Sequence, residues 1–107
     1  MDDLQISPRD VKHRLDRGDN FLLVDVREPW ENQHCSIHGS TLVPLRTIAD
    51  NLALFEGATE VVLYCHHGIR SLNAAVLLRQ QGVVGVRSMT GGIERWALDI
   101  DPGVPRY

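Results

Sequence analysis

The chain has 107 residues, 43% of them apolar and 23% charged, with a formal net charge of −3. That length supports one hydrophobic core, so a single domain over 1–107 is expected. The mild acidity disfavours nucleic acid or a membrane surface as the main partner, and the start MDDLQISPRD lacks a basic, apolar leader, which makes a cytoplasmic protein the expectation.

In chain order, LQI near the start predicts a first strand, and ISPRDVKHRLDRG predicts a helix. Ser7 is placed as its N-cap, Pro8 at its first position and Asp10 three residues after the cap. Ile6 and Val11 form a candidate hydrophobic staple, Val11 and Leu15 share a face, and Gly18 is a stop. FLLVDV (21–26) is a short apolar run suited to a strand buried on both faces. TLV (41–43) is a weaker strand, ended by Pro44. LRTIADNLALF (45–55) carries Leu45, Ile48, Ala49 and Leu52 at helical spacing and should cover the sheet. VVLY (61–64) is a second buried strand, SLNAAVLLRQQG a covering helix stopped by Gly82, VGVRSM a fifth strand, and GGIERWALDI a glycine turn into a short helix. Strands alternating with helices on short connections predict an α/β fold, a five-stranded parallel sheet with helices on both faces. The final DIDPGVPRY, with two prolines and a glycine, should run extended over the surface.

Cys65 follows the VVLY strand directly and precedes a helix, at the sheet end where ligands bind in open parallel folds. The loop His66, His67, Gly68, Ile69, Arg70 and Ser71 offers backbone amides in succession, a helix N-terminus and one cation. Together these favour an anion or a thiolate, and Gly68 permits the tight turn. Cysteine-dependent phosphatases use a similar cradle with five residues between Cys and Arg. Here four separate Cys65 from Arg70, which suits a smaller guest such as one extra sulfur.

At these residues the chain resembles the rhodaneses, the thiosulfate sulfurtransferases. CHHGIRS (65–71) is similar to the loop Cys-x-x-Gly-x-Arg-Ser of single-domain members, and DVREPWE (25–31) to the Asp-Val-Arg-Glu segment. IHGSTLVPL (37–45) is similar to Ile-x-Gly-Ala-x-x-x-Pro-Leu, and GGIERW (91–96) to Gly-Gly-x-x-x-Trp. Cys35, Ser36 and Ile37 stand where the family often has Gly-His-Ile, in a stretch that is scaffold there. DIDPGVPRY resembles the close of rhodanese domains fused behind enzymes that adenylylate sulfur-carrier proteins.

The resemblance implies a rhodanese-like fold and ping-pong sulfur transfer. Cys65 would be the nucleophile and the 66–71 loop the persulfide cradle, with no cofactor. It implies a small sulfur donor, thiosulfate or a persulfide, and a thiol or sulfur-carrier protein as acceptor. The competing readings are a non-catalytic rhodanese-like interaction module and a cysteine-dependent phosphatase or arsenate reductase.

Asp25, Arg27 and Glu28 read as supporting residues, and Arg70 either contacts the anion or pairs with Asp25 or Glu28. His34, Cys35, His38, His66 and His67 fit no standard zinc spacing, so no metal is expected; His66 and His67, being adjacent, should point apart. Cys35 reads as packing, Trp30 and Trp96 as core and edge aromatics, and Gly91 and Gly92 as the turn that brings the last helix close to the site. No heptad or apolar stripe suggests an assembly, so a monomer is expected.

Overall fold

A computed structural model describes residues 2–107, Asp2 by its backbone alone. A 3₁₀ turn, Asp2–Leu4, leads into β1 (Gln5–Ile6), α1 (Pro8–Arg17), β2 (Leu22–Asp25), α2 (Pro29–His34) and β3 (Thr41–Leu42). A 3₁₀ segment, Leu45–Phe55, precedes β4 (Val61–Tyr64), α3 (Ile69–Gln80), β5 (Val86–Met89) and α4 (Gly92–Asp99). The strands form one sheet in the order β1-β5-β4-β2-β3, every pair parallel. This is the α/β architecture that the alternation of strands and helices predicts.

Side chains alternate across the central strands and divide the core in two. Val24, Val26, Val61, Leu63, Cys65 and Val86 pack with Ala74, Ala75 and Leu78 of α3 and with Ile48 and Phe55. Leu23, Val62, Tyr64 and Met89 pack on the opposite face with Val11 of α1 and with Ile93 and Trp96 of α4. Both faces being covered, β4 is apolar at all four positions, and every one of them is buried.

The start of α1 follows its sequence signals. Ser7 accepts from the Asp10 amide at 3.1 Å, Pro8 opens the helix, and Gly18 closes it in the left-handed region at φ 73°. The 45–55 segment departs from the predicted α-helix. It is 3₁₀, with non-helical backbone at Asn51 (φ −122°, ψ 29°), whose Nδ2 donates to the Thr47 carbonyl at 2.8 Å. Such a bond from side chain to backbone competes with regular helix, and Pro44 before the segment supplies no side-chain cap. Ile48 and Phe55 are still buried, so the segment covers the sheet as expected. Among the described residues, no helix is long and apolar enough to cross a membrane.

Candidate active site

The alternation that buries Val61 and Leu63 directs Cys65, one residue beyond the end of β4, toward α3; the residue is 1% exposed. The chain then turns through Gly68, at φ 101°, into α3. In this turn the amides of Gly68 and Ser71 donate to Cys65 Sγ at 3.1 and 3.3 Å. Ser71 Oγ lies 3.5 Å from the sulfur and 2.6 Å from Ser88 Oγ on β5. The amides of His67, Ile69 and Arg70 find no acceptor among the described residues. Above the sulfur, Cys65, His66, His67, Ile69 and Arg70 line a pocket of about 280 Å³. A larger depression of about 480 Å³, between Asp3, Arg79 and Arg87, holds no nucleophile, and its cations are paired with Asp3 and Glu60.

Two glycines fix the loop from behind. The first amides of α4 donate to its carbonyls, Ile93 to Cys65 at 2.8 Å and Glu94 to His66 at 3.1 Å. A Cβ on Gly92 (φ 63°) would stand 2.4 Å from the His66 carbonyl oxygen and 2.5 Å from that of Cys65. Gly91 and Gly92 therefore bring α4 against the loop, as the sequence suggests, and only the second is excluded from bearing a side chain by the loop itself.

Arg70 is braced by a carboxylate, and that carboxylate is Glu31, not Asp25 or Glu28. Its Nη1 and Nη2 donate to Glu31 Oε1 and Oε2 at 2.7 and 2.9 Å. Glu31 Oε1 also accepts the Glu28 amide at 3.0 Å, and Oε2 the Tyr107 hydroxyl at 2.8 Å. Four donors on one carboxylate, Arg70 foremost, hold Glu31 at about 2 against an ordinary value of 4.5. Asp25 is matched elsewhere, to Arg27, through Nε and Nη2 at 2.8 and 2.7 Å, with both side chains fully buried. Arg27 Nη1 donates to the Tyr107 hydroxyl at 2.8 Å. Glu28 turns outward to an exposed pair with Arg46 and stands outside the site.

The aromatic side chains correct two expectations. The 101–107 segment turns back, so that Tyr107 is half-buried and stacks on His66 at 3.9 Å with the planes 9° apart. His66 and His67 do not diverge; they stack at 3.9 Å. Burial, and next the neighbouring His67, push the His66 imidazole below its ordinary value. Tyr107 is pushed up to about 12, chiefly by burial. Trp30, 63% exposed, and His34 make T-shaped contacts with the Tyr107 ring, whereas Trp96 is core. Cys35 packs in the α1 and α4 layer, its carbonyl accepting from Arg27 at 2.6 Å.

The structure adds Glu31, Ser88 and Tyr107 to the residues singled out from sequence. Glu31 carried a signal, since Glu28-Pro29-x-Glu31 has the spacing of a reciprocal helix start. Ser88 could be read as a polar residue on an inward position of the last strand. Nothing in DIDPGVPRY marked Tyr107.

Residues 7–99 match the rhodanese-like domain family. The chain is 34% identical over 104 residues to the probable adenylyltransferase/sulfurtransferase MoeZ of Mycobacterium tuberculosis, covering 95% of this chain but only 26% of that protein. It is 33% identical over 92 residues to the thiosulfate sulfurtransferase GlpE of Pseudomonas aeruginosa, covering 86% of this chain and 82% of that one. The crystal structure of a rhodanese-like domain protein from Staphylococcus aureus superposes with a TM-score of 0.83 at 27% identity, covering 96% and 97% of the two chains. The loop geometry and these likenesses agree, and the chain belongs to the rhodanese-like domain family.

Proposed function

We propose that the protein is a sulfurtransferase that carries sulfur as a persulfide on Cys65. The observation that carries this reading is the sulfur's setting: a cysteine that already accepts two backbone amides, beneath a pocket with three further amides unpaired. A thiolate there attacks the sulfane sulfur of thiosulfate. The Sγ–S bond forms as the S–S bond of the donor breaks, and sulfite leaves with the electron pair. The resulting Cys65–S–S⁻ places its charge among donors that need no rearrangement to receive it. A thiophilic acceptor then takes the outer sulfur and restores the thiolate.

Arg70 serves in this reading as the brace of the loop. Both of its terminal nitrogens are engaged by Glu31, which leaves the backbone amides to meet the guest. Thiosulfate is proposed as donor because the GlpE relative is named for it and the pocket is small. A thiol or sulfur-carrier protein is proposed as acceptor, since the MoeZ relative combines adenylyl and sulfur transfer in a chain of which this one spans about a quarter.

The test is intact-protein mass spectrometry before and after thiosulfate, on the native chain and Cys65→Ser, followed by cyanide. One sulfur gained by the native chain alone, and discharged by cyanide, is the expected result. No gain from thiosulfate or other sulfane donors, with the fold intact, would overturn it in favour of a non-catalytic module.

A further inference from the structure

We propose that Tyr107, which lies beyond the residues matched to the family, is a positioning residue that holds the Cys65 loop in its receptive geometry. The inference rests on the persulfide reading above. Its basis is the place of one phenol among the ionic groups of the site. The hydroxyl accepts from Arg27 Nη1 at 2.8 Å and donates to Glu31 Oε2 at 2.8 Å. One proton thus joins two ion pairs: Asp25 with Arg27, fully buried under the sheet end, and Glu31 with Arg70, at the rim of the pocket.

The ring does a second task. His66 has Tyr107 and His67 each stacked at 3.9 Å, and His66 and His67 both line the pocket. His66 is therefore held from Tyr107 on one side while its carbonyl is held by the Glu94 amide. The Tyr107 ring is itself seated by T-shaped contacts with Trp30 and His34. Withdrawing the phenol leaves Glu31 Oε2 to Arg70 alone and frees one side of the His66 ring. The loop then samples geometries in which its amides no longer converge on the sulfur. The apparent affinity for an anionic donor falls with the fraction of molecules whose loop is receptive, while the chemistry in that fraction is unchanged.

This predicts a particular kinetic pattern. Tyr107→Phe keeps the stack and loses the bridge, and should raise KM for thiosulfate roughly three- to tenfold with kcat within about twofold, the effect of losing one hydrogen-bonded link. Tyr107→Ala loses both and should lower kcat/KM by roughly thirtyfold or more. A second readout is independent of sulfur transfer: hydrogen exchange across residues 66–71 should accelerate in both variants. Tyr107→Phe with native KM and native exchange in the loop would overturn the inference, as would a variant that loses thermal stability alone. If the native chain takes no sulfur, the persulfide reading fails, and the exchange measurement still decides whether Tyr107 holds the loop.

Discussion

β2 and β4 run side by side, with Asp25 opposite Tyr64, and they end in opposite ways. At the end of β2 the chain buries a carboxylate and a guanidinium and satisfies them completely: Arg27 reaches both Asp25 oxygens, Tyr107 and the Cys35 carbonyl, and Asn32 donates to Asp25 Oδ2 as well, at 3.0 Å. Beyond β4 it buries a sulfur and leaves the amides of three pocket-lining residues without an acceptor among the described residues. The first end is closed because an unpaired buried charge is costly. The second is open, as the persulfide reading proposed above requires of a place that a guest completes. The contrast separates structure from chemistry: substitutions at the β2 end should cost stability first, and those at the β4 end should cost sulfur loading first.

Arg27→Met tests the closed end most severely. It strands Asp25 in the sheet and should destabilise the fold by about 3–5 kcal/mol in urea unfolding. The double variant Asp25→Asn with Arg27→Met should recover part of that loss, because no ion is then left without a partner.

Acid probes the link between the ends. Glu31 is held at about 2 in the folded chain against 4.5 ordinarily, so its contribution is fully present above the ordinary value and lost as pH falls from about 5 toward 2. The side chain is 5% exposed, and the shift corresponds to roughly 3 kcal/mol. The fall in urea midpoint between pH 7 and pH 3 should shrink in Glu31→Gln, and an unchanged fall would remove Glu31 from the account.

Gly92→Ala attacks the open end from behind, where the added Cβ meets two loop carbonyls. It should cost about 2 kcal/mol by thermal unfolding and reduce persulfide formation more than that loss of stability explains. Ser88→Ala is the mildest probe. It leaves Ser71 without its 2.6 Å partner and should slow sulfur loading severalfold, with a stability change of about 1 kcal/mol. If Ser88→Ala lowered stability as much as Arg27→Met, the two ends would not differ as argued.

The sheet was legible because periodicity reports burial, and each apolar run lies in a layer covered on both faces. The geometry of the candidate loop was legible because Cys65, Gly68 and Ser71 lie within seven residues and their arrangement is set locally. The partner of Arg70 was not. Asp25 ends β2 and Glu28 and Glu31 follow within six residues, and only tertiary packing turns Glu31 inward while Glu28 faces Arg46. Tyr107 was hidden for a related reason. Its contacts lie 80 and 76 residues away in sequence, at Arg27 and Glu31, beyond any local pattern. The 3₁₀ segment misled because apolar spacing reports which face is buried and not how tightly the chain winds: Ile48 is buried and Leu45 and Leu52 partly so, while the tighter, less regular winding leaves Ala49 exposed.

The pairing of β1 with β5 bears on how the protein is made. Gln5 lies beside Ser88, and Ile6 beside Met89, so β1 has no partner in the sheet until β5, some 80 residues later, has been synthesised. The β2, β3 and β4 strands can meet much earlier. Contacts between residues so distant in sequence slow folding. The nascent domain therefore carries an unpaired strand from β1 until β5 emerges, and in that interval chaperone binding would matter most to its yield.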